Sequence, residues 1–547
     1  MMVPIQVIRW YRMQCYDGTD SCATVVPIRR YCHYQQEMLE NITKALTGRS
    51  QVTFYDQHGK KMKVGNSVMV QMPTGTGKTY VMAAVVKWFL EKYEKGEVWL
   101  IAHRKELVEQ MQQTLDRFCL EYAEKEEELK EKVRIRVFSI QWLSRHIGEM
   151  EAKGCKPGFI VVDEAHHALA DSYQDVFDRN RPALKMGMTA TPCRMKKESF
   201  GGLFTRLLIS PSTADFILRG YLAPYSYVVI GKFSPDQQIV DLLKGRGSDG
   251  DYAVKEMDEK LNIPQAIQRL YDSVRKYADG KKGIVYAIDI AHAKAIADCY
   301  NSLGMKAVAL DSKTPAKMRA QMVEAFKKGE LDCLVNVNLF DEGFDCPDVE
   351  YIQMARPTLS LAKYLQMVGR GLRINKEDPK KVCVIIDNVG NYRKFGYPDK
   401  PRRWASMFAG VMAGKGILSP TMKRVSGVVV MEEDMVMVKT ASTECKRMTD
   451  QELKIFKKNV KPFLQEDTMR MGLKSGNEIV LRPIYPYISP FRGDHAIFRL
   501  NNHNYLYGVL DRLGYIVVAP EYQSLDFLDA HTLVGRKPHS DSESINL

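Results

Sequence analysis

The sequence lacks the features of a secreted or membrane-embedded protein. Its longest apolar runs, such as residues 81–86, stop far short of the ~18 residues that a membrane-spanning helix needs. Arg9 and Arg12 are not followed by the continuous apolar stretch of a signal peptide. The 11 cysteines form no C-x-x-C pair, which favours free thiols in a reducing compartment. We therefore expect an intracellular protein, cytoplasmic or in another internal compartment, that is neither secreted nor bound to a membrane.

Acidic residues are the scarcer charge. Asp and Glu number 66 against 79 Lys and Arg, which leaves a net charge of +13. Such an excess favours polyanionic partners such as nucleic acid. The most basic stretch, residues 392–424, holds eight basic residues and a single acid, Asp399. With 547 residues, of which 45% are hydrophobic and 27% charged, the chain is long enough to form about three or four globular domains.

Two series of short runs rich in Val and Ile, separated by helical segments, predict two α/β domains with parallel sheets covered on both faces. The first series comprises residues 67–71, 98–102, 133–138, 159–162 and 184–188, and the second comprises residues 283–288, 306–310, 331–337, 349–354 and 382–386. A Gly-rich segment, Gly245-Arg-Gly-Ser-Asp-Gly250, lies near the start of the second domain. Beyond Asp387 the pattern changes to short strands with Gly and Asn turns. We predict an N-terminal extension (1–30), two α/β domains (31–220 and 221–397) and a small β-rich accessory module (398–547).

The strongest chemical signal is a glycine loop, Met72-Pro-Thr-Gly-Thr-Gly-Lys-Thr79, between a predicted strand and a predicted helix. Gly75 and Gly77 allow main-chain N–H groups to turn toward phosphate oxygens, and the helix N-terminus adds a favourable dipole. Lys78 can reach the β and γ phosphates, and Thr79 can ligate magnesium. Because Met72 replaces the first Gly of the general G-x-x-x-x-G-K-[ST] pattern, the loop alone does not settle the assignment.

A second signal is a pair of adjacent acids, Asp163 and Glu164, at the end of the apolar run 159–162. At such a strand end, Asp163 can bind a metal ion through water while Glu164 acts as a base toward an attacking water. Carboxylates beside a core are costly without a cation. The alternative is two solvated acids at the start of a loop, and the upstream glycine loop favours the metal site.

The third signal lies in the second domain, where Arg370 and Arg373 occur in Tyr364-Leu-Gln-Met-Val-Gly-Arg-Gly-Leu-Arg373. Residues three apart share one face of a helix, so we expect both guanidinium groups to leave the same face. From there they can reach a γ phosphate across a cleft between the domains.

In their order along residues 31–397, these motifs resemble those of superfamily 2 helicases and translocases. Gln35, in Tyr34-Gln35-Gln36, resembles the Gln motif that recognises adenine, and Asp163-Glu-Ala-His166 is the DEAH form of motif II. The family also tolerates a first loop residue other than Gly. The resemblance implies that ATP is bound by Gln35, Pro73, Thr74, Gly75, Thr76, Gly77, Lys78, Thr79, Gly343 and Asp345, and Mg²⁺ by Thr79 and Asp163. It implies catalytic roles for Lys78, Asp163, Glu164, Arg370 and Arg373, and coupling of hydrolysis to movement by His166, Thr189, Thr191 and Gln366.

Other segments resemble the nucleic-acid-facing motifs of the same family. The residues concerned are His103, Arg104, Ser139, Gln141 and Asn338. By analogy they contact sugar and phosphate rather than base edges, which gives binding with little sequence preference. The sequences of motif V and of Asp387-Asn-Val-Gly390 resemble those of a group of DNA helicases. This group includes relatives of the eukaryotic transcription and repair helicase, phage recombination helicases and restriction-enzyme motor subunits. The hallmarks of DEAD-box RNA helicases are absent, so we expect DNA.

The resemblance implies two tandem RecA-like P-loop domains and an ATP-dependent nucleic-acid motor, either a DNA helicase or a duplex translocase. Two alternatives use the same motifs. One is an ATP-gated clamp or sensor that binds nucleic acid without unwinding it and recruits protein partners through residues 398–547. The other is a duplex RNA translocase, since such enzymes share the Gln-x-x-Gly-Arg form of motif VI.

Overall fold

The computed structural model describes residues 32–49, 53–55, 60–124, 133–195, 198–231, 234–311, 313–337, 348–375, 378, 380–410, 435–439, 450–466, 469–476, 478–499, 506–512, 516–529, 532–537 and 542–546. Residues 1–30 and the predicted site residues Asn338, Gly343 and Asp345 lie outside these ranges, so the predictions made for them are not described by the structure. Among the described residues, no helix is long and apolar enough to cross a membrane.

The first lobe is built on a seven-stranded parallel sheet in the order β5-β6-β4-β7-β8-β3-β9. A two-stranded hairpin, β1 and β2, precedes it. Its elements are α1 (His33–Thr47), β1 (Thr53–Tyr55), β2 (Lys61–Lys63), β3 (Ser67–Gln71), α2 (Lys78–Lys92), β4 (Glu97–Ala102), α3 (Lys105–Arg117), β5 (Ala123–Glu124), β6 (Ile135–Ser139), α4 (Ile140–Ala152), β7 (Pro157–Val162), a short 3-10 helix (Ala165–His167), α5 (Asp171–Arg179), β8 (Leu184–Thr189), β9 (Arg206–Ile209) and α6 (Thr213–Leu218). All five residues of β3 are buried, as expected for a central strand with helices on both faces.

The second lobe has its own seven-stranded sheet, in the order β12-β13-β11-β14-β15-β10-β16. Six strands are parallel and β16 is antiparallel to β10. Its elements are β10 (Tyr225–Ile230), α7 (Pro235–Asp241), α8 (Val254–Leu261), α9 (Pro264–Tyr277), β11 (Gly283–Tyr286), α10 (Ile290–Ser302), β12 (Ala307–Leu310), α11 (Ala316–Lys327), β13 (Cys333–Asn336), β14 (Tyr351–Met354), α12 (Leu361–Gly371), β15 (Cys383–Asp387), α13 (Asn391–Phe395), α14 (Trp404–Phe408) and β16 (Met435–Lys439). The predicted fold class, two parallel α/β domains followed by a β-rich module, is therefore confirmed.

The C-terminal part folds into three small antiparallel sheets. Their elements are α15 (Asp450–Asn459), β17 (Val460–Gln465), β18 (Arg470–Ser475), β19 (Glu478–Tyr485), β20 (Tyr487–Ile488), β21 (His495–Arg499), β22 (Tyr507–Asp511), β23 (Ile516–Tyr522), β24 (Ser524–Phe527), β25 (Thr532–Arg536) and β26 (Ser542–Asn546). Lys457 of α15 forms an ion pair with Asp215 of α6, which connects this region to the first lobe.

Residues 396–408, which we call the strap, return from the second lobe to the first. At the second lobe, the Tyr225 hydroxyl donates to Asp399 at 2.5 Å, and the Arg402 guanidinium donates to two main-chain carbonyls of residues 395 and 397. At the first lobe, the Phe408 ring stacks on Phe200, and the Phe408 carbonyl accepts a hydrogen bond from the Phe200 N–H at 2.9 Å. The chain therefore crosses between the lobes a second time.

The segment predicted as accessory module is thus divided in space. The strap lies against both lobes, and β16 completes the sheet of the second lobe, although β16 and most of the strap fall within residues 398–547. The physical reason is that β10 would otherwise leave one edge of the sheet unpaired. The main chain of Met435–Lys439 supplies the hydrogen-bonding groups that cover this edge.

Candidate nucleotide site between the lobes

The glycine loop follows the buried strand β3 and ends where α2 begins. Gly75 and Gly77 have φ angles of 85° and 77°, in the left-handed region that favours glycine, and Gly77 is the N-cap of α2. The first turn of α2 contains no acidic residue, so its N–H groups and positive dipole end stay available to an anion. The loop therefore has the backbone geometry of a phosphate-binding site.

Helix α1 holds the loop from the outside. The Tyr34 hydroxyl donates to the main-chain oxygen of Thr76 at 2.8 Å, and its ring packs edge-on against Phe216 and Tyr221. The Gln35 side chain accepts a hydrogen bond from the Cys32 N–H at 3.1 Å. Its amide nitrogen lies so close to Gly77 that a Cβ at that glycine would approach it to 2.7 Å. The sequence placed Gln35 at the site but missed the role of Tyr34, for which an aromatic residue before the Gln pair was the available signal.

Two acids and a histidine meet at the end of β7. Glu164 has a φ of 46°, in the left-handed region, and its N–H donates to the Asp163 carboxylate at 2.9 Å. The Nδ1 atom of His166 lies 3.3 Å from a Glu164 carboxylate oxygen and 3.1 Å from the Thr189 hydroxyl. The Thr189 hydroxyl also accepts from the Thr191 N–H at 3.1 Å. The sequence-predicted residues of motifs II and III therefore form one continuous chain of contacts.

The pKa of Lys78 depends on the charged residues around it. Burial lowers the pKa of Lys78, the carboxylates of Glu164 and Asp163 raise it, and the guanidinium groups of Arg370 and Arg373 lower it further. A charge changes a neighbouring pKa more strongly the closer it lies. Five predicted charged residues, three from the first lobe and two from the second, therefore converge on one cleft.

Helix α12 supplies the second-lobe side of this cleft. Arg370 and Gln366 are buried on it, and Gly369 packs against Thr74 of the glycine loop. The expectation that Arg373 shares the helix is wrong, because α12 ends at Gly371. Arg373 nevertheless reaches the same place, since its Cγ would lie 3.3 Å from a Cβ built on Gly75.

The oxygen donors suit a magnesium ion held together with a nucleotide. They are the Thr79 hydroxyl in the first turn of α2 and the Asp163 carboxylate at the end of β7. Within the described part of the chain, no three His, Cys, Asp or Glu side chains cluster as a complete metal site. Mg²⁺ commonly takes one or two protein ligands and completes its shell with water and phosphate oxygens. The donor set therefore fits Mg²⁺ with a nucleotide better than a purely structural metal.

A cavity of about 160 Å³ adjoins the glycine loop at the lobe interface. Pro73 and Thr74 line it from the first lobe, Val368 from α12, and Lys400 and Trp404 from the strap. The sequence did not associate the strap with this cleft. The signal available was the Pro398 and Pro401 pair, which marks an extended segment but not the surface it lies on.

The residues predicted to face nucleic acid lie along one edge of the first-lobe sheet. Ser139 caps α4 by accepting from the Trp142 N–H at 3.3 Å, and the Gln141 side chain donates to the His103 carbonyl at 2.8 Å. The His103 ring lies 4.1 Å from that of His167, which follows the DEAH residues. Arg104 is the N-cap of α3. The structure thus joins His103, Arg104, Ser139 and Gln141 into one surface at the carboxyl ends of β4 and β6.

Family models match both lobes. The model described as the res subunit of type III restriction enzymes matches residues 30–194, and the helicase conserved C-terminal domain matches residues 264–375. A 51.5 kDa protein of a Lactococcus phage is 31% identical over 348 residues, covering 64% of this chain and 71% of the phage protein. The chain belongs to the superfamily 2 helicases.

Two further relatives are a restriction enzyme subunit and a translocase. The type I restriction enzyme EcoAI endonuclease subunit of Escherichia coli is 23% identical over 354 residues, covering 59% of this chain and 43% of that subunit. The DNA 3'-5' translocase XPB2 of Sulfurisphaera tokodaii is 21% identical over 364 residues, covering 59% of this chain and 79% of the translocase. The helicase therefore spans less than half of the restriction subunit that it matches.

Proposed function

We propose that this superfamily 2 helicase hydrolyses ATP and uses the hydrolysis to move along DNA. The observation that carries the proposal is the contact of the second lobe with the glycine loop, where Gly369 packs against Thr74 and the Arg373 Cγ lies 3.3 Å from a Cβ built on Gly75. A site divided in this way is complete only when the lobes are closed. Hydrolysis in such a site is therefore linked to relative movement of the lobes.

The residue roles follow from position and chemistry. Lys78 binds the β and γ phosphates, together with the N–H groups of the glycine loop. Thr79 and Asp163 hold the magnesium ion, which neutralises phosphate charge when it is bound. Glu164 orients the attacking water and accepts its proton. Gln35 recognises adenine next to the glycine loop. The rest of the nucleotide lies against the loop residues Pro73, Thr74, Gly75, Thr76 and Gly77.

Arg370 and Arg373 stabilise the negative charge that develops on the transferred phosphoryl group. Because both belong to the second lobe, they act as arginine fingers supplied by the same chain. Gly343 and Asp345 are assigned to the nucleotide by the family resemblance alone.

Coupling between hydrolysis and movement runs through His166. Its Nδ1 contacts both Glu164, which faces the chemistry, and Thr189, whose hydroxyl is bonded to the Thr191 N–H. A change in charge at Glu164 is therefore transmitted to the loop that follows β8. Gln366, buried on α12, is the corresponding element of the second lobe.

DNA is the proposed substrate because the matched relatives include a restriction enzyme subunit and a DNA translocase. The net charge of +13 suits a polyanion. His103, Arg104, Ser139, Gln141 and Asn338 are proposed to contact sugar and phosphate, so binding has little sequence preference. Residues 398–547 are the part of the chain that we propose for binding protein partners.

The test is ATPase activity measured with no nucleic acid, single-stranded DNA, duplex DNA and duplex RNA, beside triplex displacement and strand separation. We expect strong stimulation by DNA together with displacement of a bound third strand. Lys78→Ala serves as the inactive control. Strong DNA-stimulated hydrolysis without displacement or unwinding contradicts a motor and favours an ATP-gated clamp or sensor. Stimulation by duplex RNA alone contradicts the DNA assignment and favours an RNA translocase.

A further inference from the structure

The Gly-rich segment between α7 and α8 has no role in the nucleotide site. We call residues 244–252 the glycine arm. Its tip, residues 246–249, is exposed, whereas its two ends are held by specific side chains. A segment with fixed ends and an exposed tip is suited to contact a partner with little loss of conformational entropy.

Glu256 of α8 fixes the first end of the arm. Its carboxylate accepts hydrogen bonds from the main-chain N–H groups of Lys244 at 3.3 Å and Gly245 at 2.6 Å. Lys260, one turn further along the helix, donates to the same carboxylate at 2.7 Å. These bonds hold the pKa of Glu256 down at about 2, so it remains charged at neutral pH.

Asp251 fixes the second end on the second lobe. It is 1% exposed and accepts hydrogen bonds from the Thr358 hydroxyl at 2.8 Å, the Leu359 N–H at 2.6 Å and the Lys363 ammonium at 3.1 Å. Thr358 and Leu359 directly precede α12, and Lys363 lies in its first turn. The arm is therefore attached to the helix that carries Arg370 at its other end.

The exposed surface of the arm is basic. Lys244 and Arg246 of the arm are exposed, as is Lys394 of α13. Burial lowers the pKa of Lys394, the Asp251 carboxylate opposes this change, and the positive charge of Arg246 adds to it. The Arg246 guanidinium stacks 4.9 Å from the centre of the Tyr252 ring and donates to the carbonyls of Lys244 and Gly245. Asp249 and Asp251 share one cation, Lys363, at 2.9 and 3.1 Å, so the two carboxylates and this ammonium together leave one negative charge against the exposed cations. Three cations on a preorganised surface form an anion-binding patch.

The position of the arm relative to the two lobes bears on which anion binds to it. Thr358 and Lys363 line a small cavity together with Tyr286 and Asn336, the last residues of β11 and β13. The family resemblance assigns Asn338, two residues beyond β13, to nucleic acid. On its other side the arm reaches the first lobe, since a Cβ at Gly250 would lie 3.6 Å from the Met195 Cε. The arm thus contacts both lobes and lies beside the carboxyl end of β13, the strand after which the family resemblance assigns Asn338 to nucleic acid.

We propose that the glycine arm is a further DNA contact, in which Arg246 and Lys394 bind the phosphodiester backbone of a duplex. The proposal rests on the proposed function, because it assigns an additional surface to the same substrate. Guanidinium and ammonium groups recognise phosphate without reading bases, so this contact adds affinity and not sequence preference. Because the arm is attached to α12, it moves with the helix that carries Arg370.

The test compares Arg246→Ala, Lys394→Ala and the double variant with Lys328→Ala. Lys328 is an exposed lysine at the end of α11, next to the amino end of β13 and so at the opposite edge of the sheet. We expect each single variant to raise the Kd for duplex DNA roughly threefold to tenfold and to lower the slope of log K against log salt by about one, and the double variant to lower this slope by about two. Arg246→Lys should restore most of the salt slope, and Lys328→Ala should match the wild type.

The outcomes separate the two proposals. If duplex DNA stimulates the wild-type ATPase but the double arm variant keeps wild-type DNA affinity and salt slope, the arm proposal is wrong and the motor assignment stands. If the wild type neither binds DNA nor responds to it, both proposals are wrong. If the arm variants lose duplex RNA binding but not DNA binding, the assigned partner is wrong. Circular dichroism melting of each variant shows that the loss is not caused by unfolding.

Discussion

Gly369 of α12 lies directly against Thr74 of the glycine loop, although the two residues belong to different lobes. A Cβ built on Gly369 would approach the Thr74 Cβ to 2.7 Å, closer than two such atoms normally come. The absence of a side chain at Gly369 therefore allows the backbone of the arginine-bearing helix to touch the loop. We therefore expect this contact to limit how closely the two lobes can approach.

Gly369→Ala is expected to act as a steric wedge in the closed cleft. An overpacked contact costs about 1–3 kcal/mol, and if the closed state bears that cost, turnover falls roughly 5- to 150-fold. Steady-state ATPase assays check this. Gly148→Ala in α4 is the matched control, because nothing lies within 4 Å of the added methyl group. Equal turnover by both variants would show that the contact does not limit closure.

Glu164→Gln is expected to bind ATP without turning it over. The amide keeps the shape of the side chain and removes its basicity, and the loss of a general base costs about 10²- to 10⁴-fold in rate. Nucleotide binding measured by fluorescence should stay within a few-fold of the wild type. Glu198→Gln, which changes an exposed carboxylate in the same lobe, is the control. Near-normal turnover by Glu164→Gln would assign the base to another residue.

Arg370→Ala is expected to retain ATP binding and to lose about 10³- to 10⁵-fold in hydrolysis, the usual contribution of an arginine finger. Single-turnover measurements separate this loss from product release. Arg275→Ala removes an exposed arginine from α9 in the same lobe and serves as the control. Wild-type hydrolysis by the Arg370→Ala protein rules out a finger supplied by the same chain.

His292 makes the second lobe sensitive to acid. Burial lowers the pKa of His292 to about 4, and its Nδ1 accepts from the Ile288 N–H at 3.3 Å. Between pH 4 and 6.5 the unfolded chain therefore binds more protons than the folded protein, so stability falls as the pH falls, by up to about 3 kcal/mol. His292→Asn keeps an acceptor in place and removes the titration.

Thermal melts of wild type and His292→Asn between pH 4 and 7 check this effect. The difference between the two proteins is the informative quantity, because burial also raises the pKa of Asp387 to about 6. The folded form of Asp387 binds more protons than the unfolded form, which gives the opposite slope. Parallel profiles for the two proteins would exclude His292 as the source.

Much of the fold was predictable because a parallel sheet covered on both faces has a local signature. Strands such as β3 and β4 are apolar throughout, and the loop after β3 needs glycines whose φ angles are positive. The same holds for the chemistry of Lys78 and Glu164, since strand ends and helix starts position such residues without further information.

Arg373 shows what the sequence could not provide. A helical continuation beyond Gly371 is locally acceptable, but the carbonyl of Leu372 accepts from the Ala223 N–H at 2.7 Å and that of Arg373 from Lys381 at 2.8 Å. In a longer helix, these two carbonyls would accept from N–H groups one turn further along the chain. Here donors outside the helix satisfy them instead. The pairing of β16 with β10 was also not predictable. The two strands are about 200 residues apart in the sequence, and neither has a residue pattern that identifies the other as its partner.

The strap limits how the motor can open. Beyond the first link after α6, the chain touches the first lobe at Phe408, returns to the second lobe in β16 and meets the first lobe again through Lys457. Two bodies tied together at several places cannot separate by a simple translation. We therefore expect wide opening of the cleft to require the Phe408 ring to detach from Phe200.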